Sequence, residues 1–241
     1  MLESLRRLRA RVECYDLGLT ATEVRALPRW AGFLYHKFDY AAYPPHLDLQ
    51  VNAGEYAWKP VIVADVVDRL QAAGEPDDVL WSDAGSYFHA IEPMATRVRE
   101  SGGLWVRRSS GTMRQWTHPG TFARLAARPD DYADRRNADA TLVGFATGSA
   151  TAPAREKLYR TVIAPWKACA LDRECIAPAG SSRKNHRQDQ AVLSFLVHRQ
   201  GYAFADDTRA ALGVRCKCDR WFYRYIGFHV PAPVYARCCL Y

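Results

Sequence analysis

Residues 56–88 read YAWKPVIVADVVDRLQAAGEPDDVLWSDAGSYF. Pro60 suits the first turn of a helix, where a missing N–H costs nothing, and Val61, Ile62, Val66 and Leu70 fall on one helical face. After this helix come Pro76 and two aspartates, then an apolar strand over 78–83 that ends on Asp83 and runs into Ala84-Gly85-Ser86. A helix followed by a strand ending in an acidic residue is half of an alternating α/β unit. The rest of the chain repeats the alternation.

Working outward, Leu2, Leu5 and Leu8 predict an amphipathic helix over 1–10. Residues 12–17 read as a strand ending near Asp16 and stopped by Gly18. Thr20 with Glu23 three residues later is the pattern of a capped helix start, and 32–38 is a second strand. Beyond the opening stretch, helices are expected over 91–101, 120–128, 154–162 and 188–199. A strand is expected over 141–145, and strand and loop in the last thirty residues. Strands alternating with helices argue for α/β class with a mainly parallel central sheet and helices on both faces. The expectation is one domain over 1–241, with 202–241 as a C-terminal strand and loop extension. In such sheets ligands bind beyond the carboxyl ends of the strands, which singles out Asp16 and Asp83.

Composition bounds the function classes. The 241 residues are 49% hydrophobic and 24% charged, the proportions of an ordinary globular protein. No apolar run approaches the ~20 residues of a membrane helix, and residues 1–11 alternate Leu with Arg and lack an apolar signal core. A soluble, cytoplasmic chain is the expectation. The net charge of +7 fits nucleic acid or a phosphate-bearing small ligand equally, but the arginines form no block, so nucleic acid is disfavoured. The seven cysteines read as buried thiols in a reducing compartment. Two alternatives stay open: a loop disulfide between Cys169 and Cys175, and a zinc site built from Cys216, Cys218, Cys238 and Cys239, whose spacing lacks the usual gap within each ligand pair.

Four constellations can carry chemistry. Asp83, followed by small residues, can reach a metal ion or a ribose hydroxyl, and Lys59 can turn its ammonium toward phosphate; the plain alternative is a turn cap and a surface lysine. The polar run 185–190 (Asn-His-Arg-Gln-Asp-Gln) sits at the mouth of an apolar helix, where Asp189 also complements the macrodipole. Gly144 in the strand 141–145 permits close approach of a ligand, or marks a bulge. His118 and His229 read as acid/base candidates or as structural histidines. There is no Gly-x-Ser-x-Gly elbow, phosphate-loop signature or dinucleotide glycine triad, so hydrolase, ATPase and dehydrogenase readings lack support.

Tyr15-Asp16-Leu17-Gly18-Leu19-Thr20, Tyr56-Ala57-Trp58-Lys59-Pro60 and Leu80-Trp81-Ser82-Asp83-Ala84-Gly85 resemble a family of nucleotide-diphospho-sugar transferases with the glycosyltransferase A fold. The likeness continues through Trp166, Cys169, Cys175 and 185–190, and more distantly the chain is similar to glycogenin-type glycosyltransferases. The resemblance implies a Rossmann-like domain that transfers a sugar from a nucleoside diphosphate sugar to a glycan, protein or small-molecule acceptor. It places Lys59, Asp83, Gly85 and Asp16 at the donor, Gly144 and His186 on the acceptor side, and Asp189 and Gln190 as the catalytic pair. Asp83 and His229 would hold a divalent Mn or Mg ion. Gly85 stands where the second aspartate of an Asp-x-Asp motif belongs, and the first strand of that fold is expected to be missing. A nucleotide-sugar or glycan-binding protein without catalysis, and a basic nucleic-acid-binding protein, are the rival readings.

Overall fold

The computed structural model describes residues 1–216. In chain order its helices are α1 (Leu2–Arg7), α2 (Ala21–Arg25), α3 (Trp58–Ala72), α4 (Glu92–Glu100), α5 (Met113–Trp116), α6 (Pro119–Arg124), α7 (Ala152–Leu158), α8 (Ala164–Leu171), α9 (Arg173–Ile176) and α10 (Gln188–Arg199). The strands are β1 (Val12–Asp16), β2 (Phe33–Lys37), β3 (Val79–Ser82), β4 (Ser86–Phe88), β5 (Leu104–Thr112), β6 (Arg136–Phe145) and β7 (Val214–Cys216). His229, Cys218, Cys238, Cys239 and most of the expected 202–241 extension lie outside the described residues. Among the described residues two compact units form: Met1–Asp39 with Ser82–Thr96 and 207–216, and Tyr40–Trp81 with Arg97–Asp206.

In the first unit β1 and β2 pair in parallel, from Val12 against Phe33 to Asp16 against Lys37. The chain reverses between them through α2, whose start is fixed as the sequence foretold. The Thr20 side chain accepts from the Glu23 N–H, and the Glu23 carboxylate accepts from the Thr20 N–H at 2.7 Å. After β3 a tight turn closes with the Ser86 N–H donating to the Asp83 carbonyl at 3.1 Å, and β4 then pairs antiparallel with β7.

The second unit is built on a three-stranded sheet in the order β3-β6-β5. β5 and β6 run antiparallel, with Leu104 opposite Phe145 and Val106 opposite Val143, and the register shifts on either side of Arg108, which bends the pair. Trp58, Leu142, Phe145, Ile163, Trp166 and Phe195 are almost wholly withdrawn from water and form the centre of the core. Burial runs unbroken along α10 from Gln188 to Val197, so this helix has no solvent face over its first ten residues. A π-helical turn at Tyr159–Ile163 joins α7 to α8 ahead of Pro165, whose ring nitrogen cannot donate into a regular helical ladder.

The α/β class is therefore as expected, but the mainly parallel central sheet is not. Among the described residues the strands fall into three small sheets, and the longest pairing is antiparallel. The physical cause is local. Leu104–Val106 is buried without alternation and residues 107–112 vary only between half-exposed and exposed, which hides a strand that the sequence reading passed over. The chain then turns back through two short helices, α5 and α6, too brief to carry it across a sheet face as a parallel crossover would require.

Candidate functional site

Three segments distant in sequence meet inside the second unit: the turn leading into α3, the middle of β6 and the first turn of α10. Lys59, in the first turn of α3, is 2% exposed. Its Nζ lies 2.8 Å from Asp189 Oδ2, donates to the Ala140 carbonyl of β6 at 3.0 Å, and stands 5.6 Å from the centre of the Trp81 ring. Asp189 is 5% exposed, and its backbone carbonyl accepts from Trp166 Nε1 of α8 at 2.9 Å. Burial pushes the Asp189 carboxyl above the ordinary carboxylate range, and the Lys59 ammonium pulls in the opposite direction. A charge pair this deep is costly to desolvate, and loss of either member strands the other.

The backbone on both sides of this pair is strained. Asn52, Ala53, Gly54, Glu55 and Tyr56 all have positive φ, between 46° and 64°, so the chain makes a left-handed turn just before α3. For non-glycine residues that conformation costs roughly 1–2 kcal/mol each. Gln188, the first residue of α10, also has positive φ, at 31°. The two strained segments hold one another: Glu55 Oε2 accepts from Asn52 Nδ2 at 2.9 Å and from Gln188 Nε2 at 3.2 Å. Arg183 lies over the Tyr56 ring at 5.0 Å and is hydrogen-bonded to its hydroxyl. Gly54 is required here, since a Cβ would overlap the Leu47 carbonyl oxygen. Strain retained by surrounding contacts is a recurrent property of binding and catalytic sites.

His186, three residues before Asp189, is fully buried. Its Nδ1 accepts from the His118 N–H at 3.2 Å, and its Nε2 lies 2.8 Å from the Ile176 carbonyl, which fixes the neutral tautomer with the proton on Nε2. Burial lowers its pKa to about 4. His118 caps α6, its Nδ1 accepting from the Gly120 N–H at 3.1 Å.

The remaining expected residues are placed as follows. Asp16, 3% exposed, accepts from the N–H groups of Gly18 and Leu19 at 2.8 and 2.5 Å and from the Tyr35 hydroxyl at 2.6 Å, so its carboxylate shapes its own turn. Asp83 and Gly85 lie in the turn after β3. These three residues belong to the first unit, whereas Lys59, Gly144, His186, Asp189 and Gln190 belong to the second. Gly144 is approached by Val98 of α4, whose Cγ2 would overlap a Cβ added at that glycine. Gln190 is buried, and its Nε2 has no hydrogen-bond partner among the described residues.

The sequence reading missed Glu55 and the left-handed turn, and it named Gln188 only as part of the polar run 185–190. Asn52 and Gly54, two residue types that tolerate positive φ, were the available signal. Among the described residues no group of three or more His, Cys, Asp or Glu side chains could hold a metal ion, and His229, the ligand expected beside Asp83, lies outside them. No family model, curated protein or solved structure matches this chain.

Proposed function

We propose that the chain is a glycosyltransferase that takes a sugar from a nucleoside diphosphate sugar, with the Lys59–Asp189 pair as the centre of its reacting site. One observation carries this reading. Lys59, the glycine-bearing strand β6 and the start of α10, segments that the resemblance assigns to one site, share a single buried contact although 130 residues separate Lys59 from Asp189.

In this reading Lys59 fixes the Asp189 carboxylate and keeps a positive charge in a water-poor interior, where fixed charges act strongly on developing charge. Asp189 orients the acceptor hydroxyl or accepts its proton, a role suited to a carboxyl whose affinity for protons is raised by burial. The turn Asn52–Tyr56 is tied through Glu55 to Gln188, the residue before Asp189, and donor entry loosens that tie.

The test is calorimetric titration of the full chain with uridine, guanosine and thymidine diphosphate sugars, with and without Mn²⁺. Binding of one donor by the native protein, with its hydrolysis or transfer lost in Asp189→Asn while the fold and donor binding are retained, is the expected result. Donor binding without hydrolysis or transfer would favour the non-catalytic rival, and no binding by any nucleotide sugar would remove the proposal.

A further inference from the structure

We propose that a disulfide between Cys169 and Cys175 locks the mouth of α10, so that the second unit reaches its working form only where disulfides are made. This inference does not depend on the transferase reading. The two cysteines are bonded, with Cα atoms 5.1 Å apart, and join the last turn of α8 to α9. Each is 4% exposed. The corner they close is where the start of α10 is held. Trp166, one turn before Cys169, donates to the Asp189 carbonyl at 2.9 Å. Thr121 Oγ1 donates to the Cys175 carbonyl at 2.9 Å, and His186 Nε2 lies 2.8 Å from the carbonyl of the next residue, Ile176. On the outer side Asp172 caps α9 by accepting from the Glu174 N–H, and Arg124 Nε donates to the same carboxylate at 2.8 Å. The covalent link thus fixes the spacing of the carbonyls at 175 and 176 relative to Trp166, which sets where His186 and Asp189 sit.

Formation of the bond is a two-electron oxidation. The two thiols lose two protons and two electrons to a disulfide-form oxidant, whose own S–S bond is cleaved to two thiols. Once closed, the bond lies under packed side chains, and a thiol reductant reaches it only when the unit opens. Such bonds belong to proteins of oxidising compartments, in place of the reducing setting expected from the cysteine count.

The experiment compares the oxidised full chain with Cys169→Ala/Cys175→Ala by peptide mapping, thermal unfolding and amide hydrogen exchange. Expected are a mapped Cys169–Cys175 link, a midpoint lower in the variant by roughly 5–10 °C, and exchange faster by about tenfold or more at 118–121 and 186–190 while 12–16 and 33–37 are unchanged. Ready alkylation of Cys169 in the native protein, unchanged exchange at 186–190, or an equal rise throughout the chain would each overturn the lock. If the variant does not fold, wild-type protein is refolded from denaturant with and without a thiol reductant. Recovery only without reductant sustains the proposal, and equal recovery sinks it.

Discussion

Lys59 and Asp189 are a pair in which each member is tolerable only because of the other. Replacing Lys59 by Met leaves a buried carboxylate facing apolar side chains, and we expect a loss of about 3–5 kcal/mol in urea-unfolding free energy. The double variant Lys59→Met/Asp189→Leu removes both charges and should recover most of that loss. Additive losses in the double-mutant cycle would show that the two side chains are not coupled. His186 gives a prediction in pH. Its folded pKa of about 4 lies below the ordinary 6.5, so the unfolded chain takes up the proton first. The stability from neutral His186 is complete above pH 6.5 and drains away as pH falls from 6.5 toward 4, by ~3 kcal/mol in all. His186→Gln, compared with native protein over that window, should have a flatter profile; parallel profiles would refute the assignment.

At the scale of elements, the approach of α4 to β6 is set by a missing side chain. Val98 fills the space beside Gly144, so Gly144→Ala forces the helix or the strand to shift, at a cost of roughly 1–3 kcal/mol. Val98→Ala in the same background should restore part of the loss, measured as a rise in the unfolding midpoint; no rescue would mean that the strain lies elsewhere. Gly144 therefore has a packing duty whatever its role toward a ligand. The turn Asn52–Tyr56 is the opposite case, an element held against its own preference. Its left-handed residues persist because Glu55 is anchored by Gln188 and Tyr56 by Arg183, and the first of these anchors links the turn to α10.

Over the whole molecule the excess of positive charge is a field and not a contact. Several arginines are already engaged: Arg6 with Glu3, Arg97 with Glu100, Arg108 with Asp206 and Arg124 with Asp172. Exposed pairs of this kind add little stability and leave the net +7 unchanged, but they occupy arginines that would otherwise face solvent singly. We expect no retention of arbitrary duplex DNA at about 0.15 M salt, where screening reaches ~8 Å. Tight binding with a steep salt slope would reinstate the nucleic-acid reading.

What the sequence by itself determined was local and periodic. The Thr20–Glu23 cap, the α3 face led by Pro60, the boundaries of α10 and the acidic end of β3 are all decided by residues a few positions apart, so they could be read before any packing was known. Tertiary structure alone decided the rest. The antiparallel return of β6 onto β5, the pairing of β4 with β7 and the meeting of Lys59 with Ala140 and Asp189 depend on partners far along the chain. So does the left-handed turn: Asn52 and Gly54 tolerate it, but Ala53, Glu55 and Tyr56 do not favour it, and Gln188 and Arg183 hold the last two there. Asp16 shows the division within one residue: its place at a strand end was legible, whereas its commitment to Gly18, Leu19 and Tyr35 came from the fold, because a buried carboxylate takes the donors that packing brings to it.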